Sequence, residues 1–251
     1  MNKLVTEGHY RTLKFMNSDE FVKIKNIYER KENNEILGGV YFRPVEDKVT
    51  AVDLAQNLIK KNQIKPLIGI GNSYSQYIKL SDTENSIEKN ISSKIDELKE
   101  KRNEIEKGSK EKVFEAFLIN EAQSNGLKFN NIHSDLRFIH SQWRVSEDNN
   151  SPKYTDLIAV DIKNESLVII ELKYKKDSKA DDQLRDYIKF FNNNFMELTQ
   201  YFLEVAKTMG RLYNCKELQT LENLSGEIYG FVSWPNKDGD FANLFVKEVK
   251  L

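Results

Sequence analysis

What this sequence has little of limits what the protein can be. Cys215 is the only cysteine, which excludes an intramolecular disulfide and a zinc site built from cysteines. No apolar run approaches the roughly 20 residues that a membrane-spanning helix needs. Basic residues are not in excess, because 38 Lys and Arg stand against 39 Asp and Glu and the formal net charge is −1. Any affinity for nucleic acid must therefore come from a local patch or be modest.

The composition that is present indicates a folded protein. The 251 residues are enough for one large domain or two small ones. Hydrophobic residues make up 39% of the chain and charged residues 31%, which is typical of a globular protein rather than a disordered one. The first residues contain no signal peptide, so we expect a cytoplasmic protein with no membrane partner.

One stretch, residues 154–187, organises the rest of the chain. Residues 154–161 and 167–174 are rich in β-branched and aliphatic side chains, which predicts two strands. Residues 161–166 supply a turn with Asn164 at its centre. A short polar connection and the start of a helix follow. The stretch therefore predicts a β-hairpin that leads into a helix.

Two registers are open for this hairpin. A Lys163-Asn164 loop places Asp156 opposite Glu171, whereas an Asn164-Glu165 loop places Asp156 opposite Lys173. In either register three ionisable groups meet at the open end of the hairpin. Glu171 and Lys173 share a face because side chains alternate along a strand.

This group of side chains suits metal-dependent cleavage of a phosphodiester. The segment Val168 to Leu172 is apolar on both faces, as in a covered central strand, where charged groups are costly to keep without a purpose. Asp156, Glu171 and the Leu172 carbonyl could supply the hard oxygen ligands that Mg²⁺ prefers, with Mn²⁺ as a substitute. Lys173 could hold the attacking hydroxide or offset charge that grows on the phosphate.

These residues resemble the PD-(D/E)XK nuclease superfamily, and its RecB-like branch in particular. The D and E-x-K positions of the family match Asp156 and Glu171-Leu172-Lys173. The following helix carries Gln183 and Tyr187, which are similar to the Q-x-x-x-Y element of that branch and lie on one helix face. Thr155 stands where the family has proline.

The resemblance covers about residues 110–235 and implies both a fold and an activity. The implied fold is an α/β restriction-endonuclease-like core, α-β-β-β-α-β. The implied activity is that of a Mg²⁺-dependent DNA endonuclease or exonuclease. The family also places a carboxylate on its first core helix, for which Glu115 fits best and Glu111 second. The implied catalytic residues are Asp156, Glu171, Lys173, Gln183, Tyr187 and Glu115, and the implied metal ligands are Asp156, Glu171, Leu172 and Glu115.

The rest of the chain predicts two flanking regions. Residues 1–83 predict a small α+β domain of unknown role, residues 84–108 a charged helical linker, and residues 109–251 the nuclease-like domain. Further elements are predicted as a helix at 50–61, strands at 136–145, 227–234 and 241–249, and a long helix at 182–209 that Asn192-Asn-Asn194 can interrupt. The apolar stripes of the 84–107 and 182–209 helices are alternatives for a homodimer interface, and the second stripe is either such an interface or core.

A second hypothesis comes from a different functional class. The protein would be a catalytically idle nuclease-fold module that serves nucleic-acid binding or protein scaffolding. An intact set of Asp156, Glu171 and Lys173 favours the enzyme, whereas a flat surface of low charge around the hairpin would favour the scaffold. The choices between DNA and RNA, single and double strands, and internal and terminal cleavage stay open at this point.

Overall fold

The structure, a computed structural model, describes residues 4–53, 68–69, 78–79, 88–93, 95–96, 110–146, 151–237 and 240–251. It is a mixed α/β protein that divides into two compact units, Met1–Ala116 and Phe117–Leu251. The boundary between the units falls inside the helix Lys110–Ser124. The junctions predicted at residues 83–84 and 108–109 lie outside the described residues, so the three predicted domains stay predictions.

The first unit combines short helices with a small sheet. Its elements are α1 (Glu7–Met16), α2 (Asp19–Tyr28), α3 (Lys31–Leu37), β1 (Val40–Val45), β2 (Lys48–Asp53), β3 (Ile68–Gly69) and β4 (Ile78–Lys79). The strands are neighbours in chain order, and residues 88–93 and 95–96 are helical. Phe21 meets the rings of Phe15 and Phe42 edge-on, and this aromatic contact helps to form the core of the unit.

One helix predicted for this region is wrong in its first turn. Residues 50–53 belong to strand β2, where Thr50 pairs with Arg43 and Ala51 with Phe42 of β1. The remainder of the predicted helix, residues 54–61, lies outside the described residues.

The second unit is built on a five-stranded mixed sheet that follows the helix α4 (Lys110–Ser124). The strands stand in the order β5 (Leu136–Ser141), β6 (Leu157–Asp161), β7 (Ser166–Leu172), β8 (Ile228–Lys237) and β9 (Asp240–Val249). The β7–β8 pair is parallel and the other neighbouring pairs are antiparallel. A parallel pair needs a crossover connection, and helices α5 (Ala180–Asn193), α6 (Phe195–Leu212) and α7 (Lys216–Gln219) supply it.

Strand β7 lies at the centre of this sheet, and every one of its residues is buried. Helix α5 packs against the neighbouring strand β8 at Gly230. A Cβ added at Gly230 would lie 2.5 Å from Cδ1 of Ile188, and 3.1 Å from Cγ of Leu184. Glycine at this position therefore allows α5 to approach the sheet closely, which sets the height of the helix above β7 and β8.

The long predicted helix is two helices, because α5 ends at Asn193 and α6 begins at Phe195. The side-chain amide of Asn194 donates to the Phe190 carbonyl at 2.8 Å, which satisfies an acceptor in the last turn of α5. The apolar stripe of the two helices is buried within the unit, so this stripe is core and not a dimer interface. Its buried members include Leu184, Tyr187, Ile188, Phe191, Leu198, Phe202 and Val205.

Two strand ends differ from the prediction for local reasons. Strand β5 stops at Ser141 instead of residue 145, because Gln142 adopts a positive φ of 55°. Strand β8 continues through Pro235, where the prediction ended it at residue 234. The last residue pair between β7 and β8 is Leu172 with Ser233, so beyond that pair no β7 partner requires a backbone N–H from Pro235.

None of the helices described is long and apolar enough to cross a membrane.

Candidate active site

The register of the β6–β7 hairpin decides which ionisable groups face one another. Leu157 pairs with Ile170, so continuation of the same register places Asp156 opposite Glu171. This is the first of the two registers that the sequence left open. It brings Asp156 and Glu171 to the open end of the hairpin. Glu171 is followed there by Leu172 and Lys173.

The closed end of the hairpin is held by Asp161, which is fully buried. Its Oδ1 accepts hydrogen bonds from the backbone N–H groups of Lys163 and Asn164, at 3.0 and 3.2 Å. Its Oδ2 lies 2.6 Å from Nδ1 of His133, which is also buried. The ladder closes with the pair Asp161–Ser166, so the loop spans residues 162–165 and is longer than the two residues predicted. These bonds oppose a slip in register, which would turn every side chain of the strand to the other face.

Asp156 is anchored through both its side chain and its backbone. Its Oδ2 accepts a hydrogen bond from the Leu172 N–H at 2.8 Å, and its carbonyl accepts one from the Gln142 N–H at 3.2 Å. The preceding residue, Thr155, is buried and exchanges bonds with Trp143. The Thr155 backbone N–H donates to the Trp143 carbonyl at 2.9 Å. The Thr155 hydroxyl accepts from the backbone N–H of Trp143 at 3.2 Å. Thr155 therefore positions Asp156, a role that its place in the sequence motif does not reveal.

Glu171 and Lys173 form an ion pair on one face of β7. The ammonium of Lys173 donates to Oε1 of Glu171 at 2.5 Å. Glu171 is 1% exposed, whereas the side chain of Lys173 is 18% exposed. The Lys173 N–H donates to the carbonyl of Ser233, at 3.0 Å, which extends the contact between β7 and β8 by one residue. A buried carboxylate is thus neutralised by an ammonium that stands at the edge of solvent.

Helix α5 adds two polar side chains to this group. The Gln183 side-chain amide donates to the phenol oxygen of Tyr187 at 2.5 Å, as expected for residues four apart on one helix face. Burial raises the pKa of Tyr187 to about 12; the charges of Glu171 and Asp156 act in the same direction. The hydrogen bond from Gln183 and the charge of Lys173 act in the opposite direction. The Tyr187 phenol is therefore influenced by the charges of three predicted residues and by the hydrogen bond of a fourth.

The carboxylate predicted from helix α4 lies in a different compact unit from the hairpin residues. Glu115 is buried and belongs to the first unit, whereas Asp156 and Glu171 belong to the second. Glu111, its predicted alternative, is half-buried. The place of Glu115 beside a metal ion stays a prediction.

The donor chemistry at the open end of the hairpin fits Mg²⁺ or Mn²⁺. Asp156 and Glu171 offer hard carboxylate oxygens, and Mg²⁺ is often held by one or two carboxylates together with water and substrate phosphate. Across the described part of the chain, no group of three or more His, Cys, Asp or Glu side chains comes together in a way that could hold a metal ion. Leu172 is seen to use its N–H, towards Asp156, so its predicted ligation through the carbonyl stays a prediction.

Comparison of the chain with protein-family models, with curated proteins and with solved structures finds no match.

Proposed function

We propose that this protein is a Mg²⁺-dependent nuclease of the PD-(D/E)XK type, with the phosphodiester bonds of DNA as its substrate. The observation that carries the proposal is geometric: the hairpin register sets Asp156 opposite Glu171, Glu171 pairs with Lys173, and Tyr187 of α5, bonded to Gln183, lies within reach of their charges. These residues come from two strands and a helix. Their grouping in space is what a shared site requires.

The proposed roles follow from the position and charge of each residue. Asp156 and Glu171 would hold the metal. A bound Mg²⁺ would supply Lewis acidity at the scissile phosphate and at a water. Lys173 stands on the solvent side of the buried Glu171, where an anionic phosphate approaches, and offsets the charge that develops on that phosphate. Tyr187 stays protonated at neutral pH, because its pKa is about 12, and so offers an O–H donor.

The architecture of the second unit supports the same proposal. A helix precedes three antiparallel strands, and a helical crossover leads to a strand parallel to the third. The candidate site lies where β7 ends beside β8, on the face that α5 covers. The ends of strands beside a crossover are a common place for sites in open α/β sheets.

The first prediction tests Lys173. Lys173→Ala should reduce cleavage about 10²–10³-fold, because a charge that acts mainly in the transition state is lost. Nucleic-acid binding should be nearly unchanged, because Lys173 is one of 38 basic residues. Cleavage is measured on plasmid and on labelled DNA and RNA oligonucleotides, with Mg²⁺, Mn²⁺ or EDTA, and binding is followed in Ca²⁺. Lys163→Ala, in the turn at the opposite end of the hairpin, is the matched control.

A variant of Asp156 completes the test, and the hydrogen bond that Asp156 accepts determines which substitution is suitable. Asp156→Ala would leave the buried Leu172 N–H without its acceptor, which costs about 1–3 kcal/mol. Asp156→Asn removes the charge but keeps an oxygen acceptor, so cleavage should be lost in a folded protein. Equal cleavage by wild type, Lys173→Ala and Asp156→Asn would overturn the proposed mechanism. Absence of cleavage by the wild type on every substrate and metal would favour the idle binding or scaffolding module.

A further inference from the structure

Two aromatic side chains lie stacked on strands β8 and β9. Trp234 and Phe245 are a cross-strand pair, with ring centroids 5.6 Å apart and an interplanar angle of 27°. Phe245 is 49% exposed and Trp234 is half-buried. We call these two residues the aromatic pair. Neither ring belongs to the proposed metal site, and large apolar rings exposed to solvent are suited to contact with a partner.

The pairing of the strands places the aromatic pair beside the candidate site. Leu172 pairs with Ser233, and the Lys173 N–H donates to the Ser233 carbonyl, so the next register position sets Lys173 alongside Trp234. Neighbouring strands lie about 4.8 Å apart. Trp234 is therefore about one strand spacing from Lys173, and Phe245 about two.

The aromatic pair also shares a sheet face with the candidate site. A Cβ at Gly230 would meet Ile188 and Leu184, so this position of β8 faces helix α5. Side chains alternate along a strand, so Trp234, four residues on, points to the same face. Glu171 pairs with Val232, which is on this face as well, and the ammonium of Lys173 contacts Glu171. Lys173, Trp234 and Phe245 thus form one row across the sheet, and Glu171 lies on the same face two residues before Lys173.

The segment between β7 and α5, which follows Lys173, is rich in lysine. Lys175, Lys176 and Lys179 are exposed and follow Lys173 within six residues, with one exposed carboxylate, Asp177, among them. Among the residues that the structure describes, none of the three forms an ion pair, whereas the nearby Asp181 and Asp182 are paired with Lys247 and Arg185. A chain whose formal net charge is −1 therefore has a local surface where phosphates can lie beside exposed rings.

From this arrangement we infer that the aromatic pair stacks an unpaired nucleobase of the strand whose phosphate is bound at Lys173. The substrate class would be single-stranded nucleic acid, or the unpaired end of a duplex. Every nucleobase has a π-face, so stacking is tolerant of sequence, and it requires a base that is not already stacked within a duplex. This inference rests on the proposed function for its placement of the phosphate, and it adds the strandedness of the substrate.

The test uses full-length protein and measures binding in Ca²⁺, separately from cleavage. The ligands are a single-stranded oligodeoxynucleotide, the matching oligoribonucleotide, a blunt duplex, and an abasic oligonucleotide that keeps the phosphates but lacks the bases. The variants are Trp234→Ala/Phe245→Ala and Trp234→Phe, which keeps a ring. Met196→Ala is the matched control, because Met196 is an exposed apolar side chain at 81% exposure. Circular dichroism and the unfolding temperature verify that each variant is folded.

Fluorescence gives a second readout. The chain has two tryptophans, Trp143 and Trp234, and Trp143 is buried. Stacking of a base on Trp234 should quench the emission of the wild type, and Trp234→Phe should lose that quenching while it retains most of the affinity. Quenching that persists unchanged in Trp234→Phe would overturn the inference.

The double variant should bind single strands about 5- to 150-fold more weakly, which corresponds to the loss of one stacked base. Its affinity for the abasic strand and the duplex should match that of the wild type. Equal single-strand affinity of wild type and double variant would overturn the inference, and so would an equal loss for all ligands. A wild-type dimer that the double variant dissociates would assign the rings to a second copy of the chain instead.

Failure of the nuclease proposal would look different from these results. Stacking without cleavage in any metal removes the nuclease and keeps the aromatic pair as a binding surface. Cleavage with equal single-strand binding by wild type and double variant keeps the nuclease and removes the stacking.

Discussion

At the scale of single residues, Tyr187 links the candidate site to stability. Its pKa of about 12 in the folded protein lies above the ordinary value of 10. The unfolded chain therefore releases this proton first as pH rises, and the folded state loses stability between pH 10 and 12. The stabilisation is fully present below pH 10.

The resulting prediction compares the wild type with Tyr187→Phe. The free energy of unfolding of the wild type should fall more steeply above pH 10, by up to about 2 kcal/mol by pH 12. Urea unfolding at a series of pH values, with tyrosinate absorbance on the same samples, measures the difference. Comparison of the two proteins cancels the titration of other tyrosines, including Tyr229, whose pKa is also about 12. Parallel pH curves for both proteins would show that Tyr187 is not held protonated.

The same scale shows what the sequence could and could not predict about the site. The residue types and spacing of Asp156, Glu171 and Lys173 predict a group of ionisable side chains at the open end of the hairpin. The choice between the two registers could not be made, because Asp161 is held partly by His133, which lies 28 residues earlier in the chain. Local turn preferences cannot predict a contact between residues so far apart in the sequence.

At the scale of elements, the segment between β7 and α5 should govern the salt dependence of binding. Lys175, Lys176 and Lys179 are exposed, and each phosphate that a lysine neutralises contributes about 0.7–0.9 to the slope of log K against log salt. Lys175→Ala/Lys176→Ala/Lys179→Ala should therefore lower the magnitude of that slope by about 2 to 3. Fluorescence anisotropy over a range of salt concentrations measures the slope.

The control for this prediction removes equal charge elsewhere in the same unit. Lys128, Lys163 and Lys216 are exposed. Lys163 lies in the hairpin turn, and Lys128 follows Leu127, which bridges to Leu136 beside that turn. Their triple alanine variant should keep the wild-type slope. The same loss of slope in both triple variants would indicate diffuse attraction and no localised contact.

Elements were predictable where burial on both faces left a clear pattern. Strand β7 is apolar from Leu167 to Leu172 except at Glu171, and it is the central strand of its sheet. The prediction of a helix at residues 50–53 is wrong because the strand there depends on pairing with β1 and on the tight turn at Asp47, where φ is 53°. Pairing partners are not visible in the helical spacing of a short segment, so long-range contact overrode the local pattern.

At the scale of the whole molecule, two compact units should make unfolding depart from a two-state transition. Binding of Mg²⁺ should stabilise the second unit, by about 2.7 kcal/mol at a concentration 100 times the dissociation constant. Differential scanning calorimetry with and without Mg²⁺ tests this expectation, and Asp156→Asn should abolish the shift. An equal shift in wild type and Asp156→Asn would place the ion elsewhere in the protein.

The burial of β7 also determines how slowly its amide protons exchange with solvent. The strand is covered on both faces and paired along both edges, so its amide protons can exchange with solvent only when the unit as a whole opens. Glu171 and the neighbours of Asp156 therefore keep their arrangement for as long as the unit stays folded. Any slow step that accompanies substrate entry or product release would belong to the exposed residues 175–179, which follow the strand and precede α5.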